Sequence, residues 1–210
     1  MHNTMKWDMI DQTLPWRNYI SINILSGQFP LWNPFQHLGY PIHADPQSGA
    51  WYPIVWIISL FGNYDLVSLH AEILLSLFIA SVGCFFVIKN ITNDKYTSTI
   101  GAACYLFSGF FIGNMQHMSW IVAGTWIPYV VLFFFRLIQV PNLKNTLFLS
   151  LFTSLLILGG YPIFLFLTAI LLSIKLLFRI KEKPTLLKLV FPYIMVAAAL
   201  RSEEHTSELQ

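Results

Sequence analysis

From Leu66 onward the chain alternates between long apolar stretches and short polar breaks, whereas the residues before it follow no such rhythm. A membrane-crossing helix needs roughly 20 mostly apolar residues, with about 17 to 25 common. Leu66–Ile88 has that length, with His70 and Glu72 near its start. Ser98–Ile112 is shorter but strongly apolar, and Met118–Phe135 follows with Pro128 inside it. Thr146–Leu158 and Pro162–Phe178 form a close pair around Gly159-Gly160-Tyr161, and Leu186–Leu200 begins a sixth stretch that is cut short. The pattern predicts an all-α fold: a polytopic transmembrane helix bundle over residues 66–200, preceded by a large loop over residues 1–65.

Basic residues orient this bundle, because Lys and Arg accumulate in cytoplasmic loops. Lys89 and Lys95 follow the first stretch, Arg136 and Lys144 the third, and Lys175, Arg179, Lys181, Lys183 and Lys188 the fifth. The alternate breaks, Gly113–His117 and Gly159–Tyr161, hold no Lys or Arg. Residues 1–65 are therefore expected on the outer face. Within them, Trp51–Phe61 is about 11 residues long, too short to span and suited to an interfacial or re-entrant helix. Trp16–Leu25 reads as a second surface helix, entered through Pro15. Pro30, Pro34, Pro41, Pro46 and Pro53 set turns between the two.

Composition agrees with lipid as the solvent. Of 210 residues, 56% are hydrophobic and 10% charged, against about 25% charged in an ordinary soluble domain. Cys84 and Cys104 lie in apolar stretches without metal or redox spacing, so they read as buried thiols. A polar start with no basic, then apolar, leader is not a signal peptide, so an outward loop implies a helix upstream of it. Residues 201–210, Arg-Ser-Glu-Glu-His-Thr-Ser-Glu-Leu-Gln, break abruptly from the apolar run and read as translated sequencing-adapter DNA. Setting aside their one Arg and three Glu moves the net charge from +2 to +4.

The outer segment is dense in Trp, Pro, Gly, carboxylates and amides. It includes Lys6-Trp-Asp8, Asp11, Pro15-Trp16-Arg17, Pro30-Leu-Trp32-Asn33-Pro34 and Gly39-Tyr-Pro-Ile-His43-Ala-Asp45-Pro-Gln47. Such a set suits a sugar, whose hydroxyls take hydrogen bonds while its apolar face stacks on rings. It equally suits a loop held on the membrane surface by an aromatic belt.

These strings, with Trp51-Tyr-Pro53 and Gly113-Asn-Met-Gln-His117, resemble the YfhO-like bacterial membrane proteins over residues 1–200. That family is similar to the GT-C membrane glycosyltransferases. The resemblance implies a multi-pass protein of the bacterial cytoplasmic membrane, using a polyprenyl-phosphate-linked sugar as donor and a cell-envelope glycan or lipid as acceptor. A divalent metal would be an optional companion of the donor phosphate; no residue pattern here specifies one. It further implies an acidic residue of the first outer loop as the base that takes the proton from the attacking hydroxyl. Asp8 is the first choice and Asp11 the second; on a helix they would share a face, and in an extended loop they would not.

Around them, Trp32, Asn33, His43, Gln47, Gln116 and His117 are candidates to bind substrate. Arg17 matches phosphate in a fork but also fits an interfacial residue facing headgroups. Asp45 is a candidate and equally a turn cap. Glu72 is the one acid within a well-formed span and a functional suspect on that ground, although it lies close enough to the outer end to reach the headgroups. Gly109 and Gly113 form a GxxxG pattern expected to mark close helix packing. Asn90-Ile-Thr92 is a sequon on the cytoplasmic side and without meaning there. The Lys175–Lys188 cluster points to anionic lipid rather than nucleic acid. A lipid or sugar transporter or flippase, which would place polar groups at mid-membrane, and a non-catalytic assembly subunit are the competing readings.

Overall fold

The computed structural model describes residues 8–36 and 38–180, with side chains through Leu176. The sixth apolar stretch, the 201–210 tail and the basic residues from Arg179 to Lys188 lie outside the described side chains. Among the described residues the protein is all-helical, with no strand. Its α-helices are α1 (Leu14–Leu25), α2 (Pro53–Ser59), α3 (Leu66–Thr92), α4 (Lys95–Leu106), α5 (Gly109–Gly113), α6 (Met118–Gln139), α7 (Leu143–Leu158) and α8 (Pro162–Ile180).

Two of these, α3 and α6, are long and apolar enough to cross a membrane, and α7 and α8 are shorter apolar helices. The long pair is unequal. The most apolar part of α6 is 67% buried by the rest of the protein and that of α3 only 28%, so α6 is the axis of the bundle. It packs against α3 on one side and α7 on the other, and α3 also packs along α4.

Local chemistry sets the helix ends. Asp65 and Asp94 precede α3 and α4, and their carboxylates accept from the backbone N–H of Ser68 at 2.8 Å and of Thr97 at 2.7 Å, each satisfying a donor that helix geometry leaves open. The α3–α4 corner turns on Asn93, a left-handed C-cap with φ 55°, a conformation Asn tolerates better than most residues.

The stretch Ser98–Ile112 is not one continuous span. It breaks at Phe107-Ser108, where Ser108 adopts extended backbone with ψ 153°, and α5 restarts after it. At 12 residues, α4 is about 18 Å long, short of the roughly 30 Å hydrocarbon core. The GxxxG expectation also fails: a Cβ at Gly109 or Gly113 would meet nothing within 4 Å. Close helix crossings are made elsewhere. A Cβ at Gly83 would press on Tyr129, one at Gly101 on Ile88, and one at Gly124 on Phe110 and Phe111. Spacing of four is thus no guide to which glycine meets a neighbour. Cys104 is exposed rather than buried, and Cys84 is partly buried; both are free thiols.

The segment before α3 belongs to the same core as the bundle. Met9, Trp16, Ile20, Ile42, Tyr52, Val55 and Tyr64 are buried in one cluster with residues of α3 and α6. Trp16, Arg17, Ile20 and Ser21 form the buried face of α1. The segment is stitched internally by ring N–H groups: Trp16 donates to Gln36 at 2.7 Å, Trp51 to the His43 carbonyl at 3.0 Å, and Trp56 to the Ala50 carbonyl at 2.7 Å. Its outer side keeps Trp32, Phe35, Leu38, Leu60 and Phe61 exposed.

Candidate functional site

The first turn described, Met9–Thr13, is π-helical and continues directly into α1. A π turn is wound wider than an α turn, so residues three apart no longer stack, and such turns recur at functional sites. Asp8 and Asp11 are accordingly not a pair. Asp11 is exposed, and no ion pair joins it to a described residue.

Asp8 instead meets His117, 109 residues further along the chain, with Oδ2 at 2.9 Å from Nδ1. A carboxylate can only accept, so Nδ1 bears the hydrogen, and in the neutral ring Nε2 is then the atom with the free lone pair. Gln116 Nε2 lies 3.4 Å from that Nε2, at the outer limit of a donated hydrogen bond. The couple is open, with 50% of the Asp8 side chain and 31% of that of His117 exposed.

Its floor is aromatic. The rings of His117 and Trp120 are 5.4 Å apart, and Trp120 lies 5.5 Å from both Tyr161 and Phe164. Three elements meet here: Asp8 comes from just ahead of the π turn, Gln116, His117 and Trp120 from the entry to α6, and Tyr161 from the α7–α8 turn. Gly160 holds that turn with φ +81°, and a Cβ there would lie 2.3 Å from the Pro46 carbonyl. Only glycine fits so close to the backbone at Pro46.

A second, closed polar cluster lies behind α1. Arg17 Nη2 is 3.2 Å from Glu72 Oε1, with 4% and 0% of their side chains exposed. The Tyr64 hydroxyl donates to Glu72 Oε2 at 2.5 Å. The guanidinium lies over the Tyr52 ring at 5.9 Å, and the Tyr52 hydroxyl accepts from Trp126 Nε1 at 3.0 Å. The charge contact is coulombic rather than well aligned, since Nε and Nη1 of Arg17 and Oε1 of Glu72 find no hydrogen-bond partner. Burial, with the Glu72 charge adding to it, pushes the phenols of Tyr52 and Tyr64 well above their usual range, so both remain hydrogen-bond donors at physiological pH.

The expectation of Glu72 reaching the headgroups is therefore corrected: it is wholly buried and paired. Arg17 likewise faces Glu72 rather than headgroups or a ligand, because α1 turns it inward and the backbone of Gly49, at φ +76°, closes over it. A Cβ at Gly49 would stand 2.1 Å from Nη1.

The remaining candidates have local partners. Asn33 is buried, pairs its backbone with Tyr40 and accepts the Phe35 N–H at 3.0 Å. His43 donates Nδ1–H to the Leu31 carbonyl at 2.8 Å. Asp45 caps a short turn by accepting from the Gln47 N–H at 2.9 Å; burial raises its carboxyl above the usual value, while backbone N–H groups of Gln47 and Ser48 oppose this. Burial, and secondarily Asp45, pushes Tyr40 up to about 12. Trp32 is exposed and packs on Gly39, its carbonyl accepting from the Tyr19 hydroxyl. Gln47 and Gln116 are exposed.

Of the sequence candidates, then, only Asp8, Gln116 and His117 converge on an open site. Trp120, Tyr161, Tyr52 and Tyr64 were missed; the Gly-Gly pair ahead of Tyr161 was the available sign of a close approach. Among the described residues, no three His, Cys, Asp or Glu side chains gather as a metal set. No family model matches the chain, and no curated protein or solved structure matches it significantly.

Proposed function

We propose that this is a multi-pass protein of the bacterial cytoplasmic membrane, of GT-C type and YfhO-like. It transfers a sugar from a polyprenyl-phosphate-linked donor to a cell-envelope hydroxyl on the outer face. The observation that supports this best is the Asp8–His117 contact above an aromatic floor. A carboxylate-held imidazole is a general base, and rings beside it suit the apolar face of a sugar.

In this reading His117 Nε2 takes the proton of the attacking hydroxyl as its oxygen bonds to the anomeric carbon. The carbon–oxygen bond to phosphate breaks, and the phosphate leaves with the electron pair, so no second acid is needed. Asp8 orients the ring and stabilises the imidazolium, which then loses its proton to water. Asp8, the base implied by the resemblance, thus becomes the partner of the base. The membrane assignment draws on the lengths of α3 and α6 and on the basic residues at one end of α6, opposite His117.

The test is transfer of labelled sugar from a polyprenyl-phosphate donor in membranes bearing the protein. His117→Gln should lower transfer by roughly 100-fold or more, the range of general-base catalysis. Asp8→Asn should lower it less, since a tilted imidazole remains a base. Full activity in both variants removes the couple from the chemistry. Lipid movement without any transfer in the unaltered protein would favour the flippase.

A further inference from the structure

At the other end of α6 from His117 lies a cavity of 620 Å³, between the end of α3, the last turn of α6 and the start of α7. Pockets of this size routinely hold small ligands or headgroups. Two cations line it, Arg136 and Lys144, and neither forms an ion pair with a described residue. No carboxylate is among its lining residues. Asn90 Nδ2 on its wall is buried and has no hydrogen-bond partner. Two other lining amides are each engaged through one atom: Asn142 Oδ1 accepts from the Asn145 N–H at 2.8 Å, and Asn145 Nδ2 donates to the Val140 carbonyl at 2.9 Å. Gln139 adds an amide that can donate or accept, so the charged capacity of the site is wholly positive. Phe133 and Phe148 stack at 4.9 Å beside it, with the Arg136 guanidinium 5.3 Å above the Phe133 ring.

A site with unpaired cations, an idle amide donor and an aromatic side selects an anion joined to something apolar. Carboxylate-free donors match the oxygens of a phosphate, which a guanidinium grips in a fork. The pocket opens at the end of a helix long enough to cross the bilayer, where headgroups lie. We infer that Arg136, Lys144 and Asn90 bind the phosphate of an anionic phospholipid, a site distinct from the sugar-transfer couple and on the opposite face. Basic pockets between membrane helices on the cytoplasmic side are suited to such headgroups. The inference rests on the membrane reading but not on glycosyl transfer.

Purified protein is reconstituted in nanodiscs containing equal phosphatidylglycerol and phosphatidylcholine, then released into detergent, and retained lipid is counted by native mass spectrometry. Phosphatidylglycerol should be retained at least tenfold over phosphatidylcholine. Arg136→Gln with Lys144→Gln should abolish that preference, and Asn90→Leu should weaken it severalfold. Lys95→Gln, a cation outside the pocket, should leave it unchanged. Arg136→Lys keeps the charge but not the fork, so it retains less phosphatidylglycerol while folding as the unaltered protein does by circular dichroism.

Equal retention of the two lipids by the unaltered protein overturns the inference, whatever the variants do. Binding of inorganic phosphate alone, with no lipid preference, overturns the lipid source and leaves a free-phosphate site. Sugar transfer is read separately, so loss of lipid preference with transfer intact is distinguishable from failure of the transferase reading.

Discussion

The molecule joins its N-terminal segment to its helix bundle by two carboxylate–nitrogen contacts of opposite character. Arg17–Glu72 is sealed, flanked by two tyrosines and closed over by Gly49. Asp8–His117 is open, with half of the Asp8 side chain and about a third of that of His117 exposed beside the Trp120 ring. Both are a carboxylate against a nitrogen base at about 3 Å, so distance alone does not separate structure from chemistry. Burial does. A charge that cannot change partner fixes geometry, whereas a half-exposed one can pass a proton to a bound molecule.

The largest way to break this contrast is Glu72→Ala. It strands the Arg17 guanidinium in a dry site, and removing one partner of a buried pair costs about 3–5 kcal/mol. We expect loss of folded protein, measured as yield and melting temperature in detergent. Replacing both partners together, Arg17→Met with Glu72→Leu, should restore most of the loss, leaving about 1–3 kcal/mol for the buried Tyr64 hydroxyl, which loses its acceptor. A double variant as unstable as Glu72→Ala would show that the pair contributes more than mutual neutralisation.

The open pair should behave otherwise. Asp8→Asn should shift stability by less than about 1 kcal/mol, as for exposed pairs, while lowering sugar transfer; a large fall in melting temperature would move this pair into the structural class.

The smallest effect concerns acid. Hydrogen bonds from Ser68, backbone first and then side chain, hold the exposed Asp65 carboxyl below its ordinary 3.8. The folded value is depressed, so its stabilisation is complete above the ordinary value and fades as pH falls through the lower folded one. The melting-temperature difference between the unaltered protein and Asp65→Asn should be constant near neutrality and shrink only in acid below about pH 4. A difference that grows in acid would contradict the cap.

Helices were legible in the sequence where apolar runs are long. Leu66–Ile88 and Met118–Phe135 lie inside α3 and α6, and Thr146–Leu158 inside α7. The break at Ser108 was not, because Phe, Ile and Gly around it keep the run apolar while the backbone turns. The site was legible only in its parts. Asp8 and His117 each stood out, but nothing local in either segment announces a partner 109 residues away. Glu72 was visible as an intramembrane acid, yet its burial depends on Arg17 and Tyr64 arriving from elsewhere. Asp8 and Asp11 would share a face only on an α-helix, and the chain makes a π turn there, which no residue in the segment announces.

The 109-residue gap between Asp8 and His117 also has a consequence for synthesis. At about 5–20 residues per second, the ribosome delivers His117 roughly 5 to 20 s after Asp8. Gly160, which seats against Pro46, comes later still. Throughout that interval the faces of the N-terminal segment that will meet α6 and the α7–α8 turn lack those partners, while Phe35, Leu38 and Phe61 stay uncovered even at the end. Docking of the N-terminal segment onto α6 and the α7–α8 turn is therefore a late event of folding.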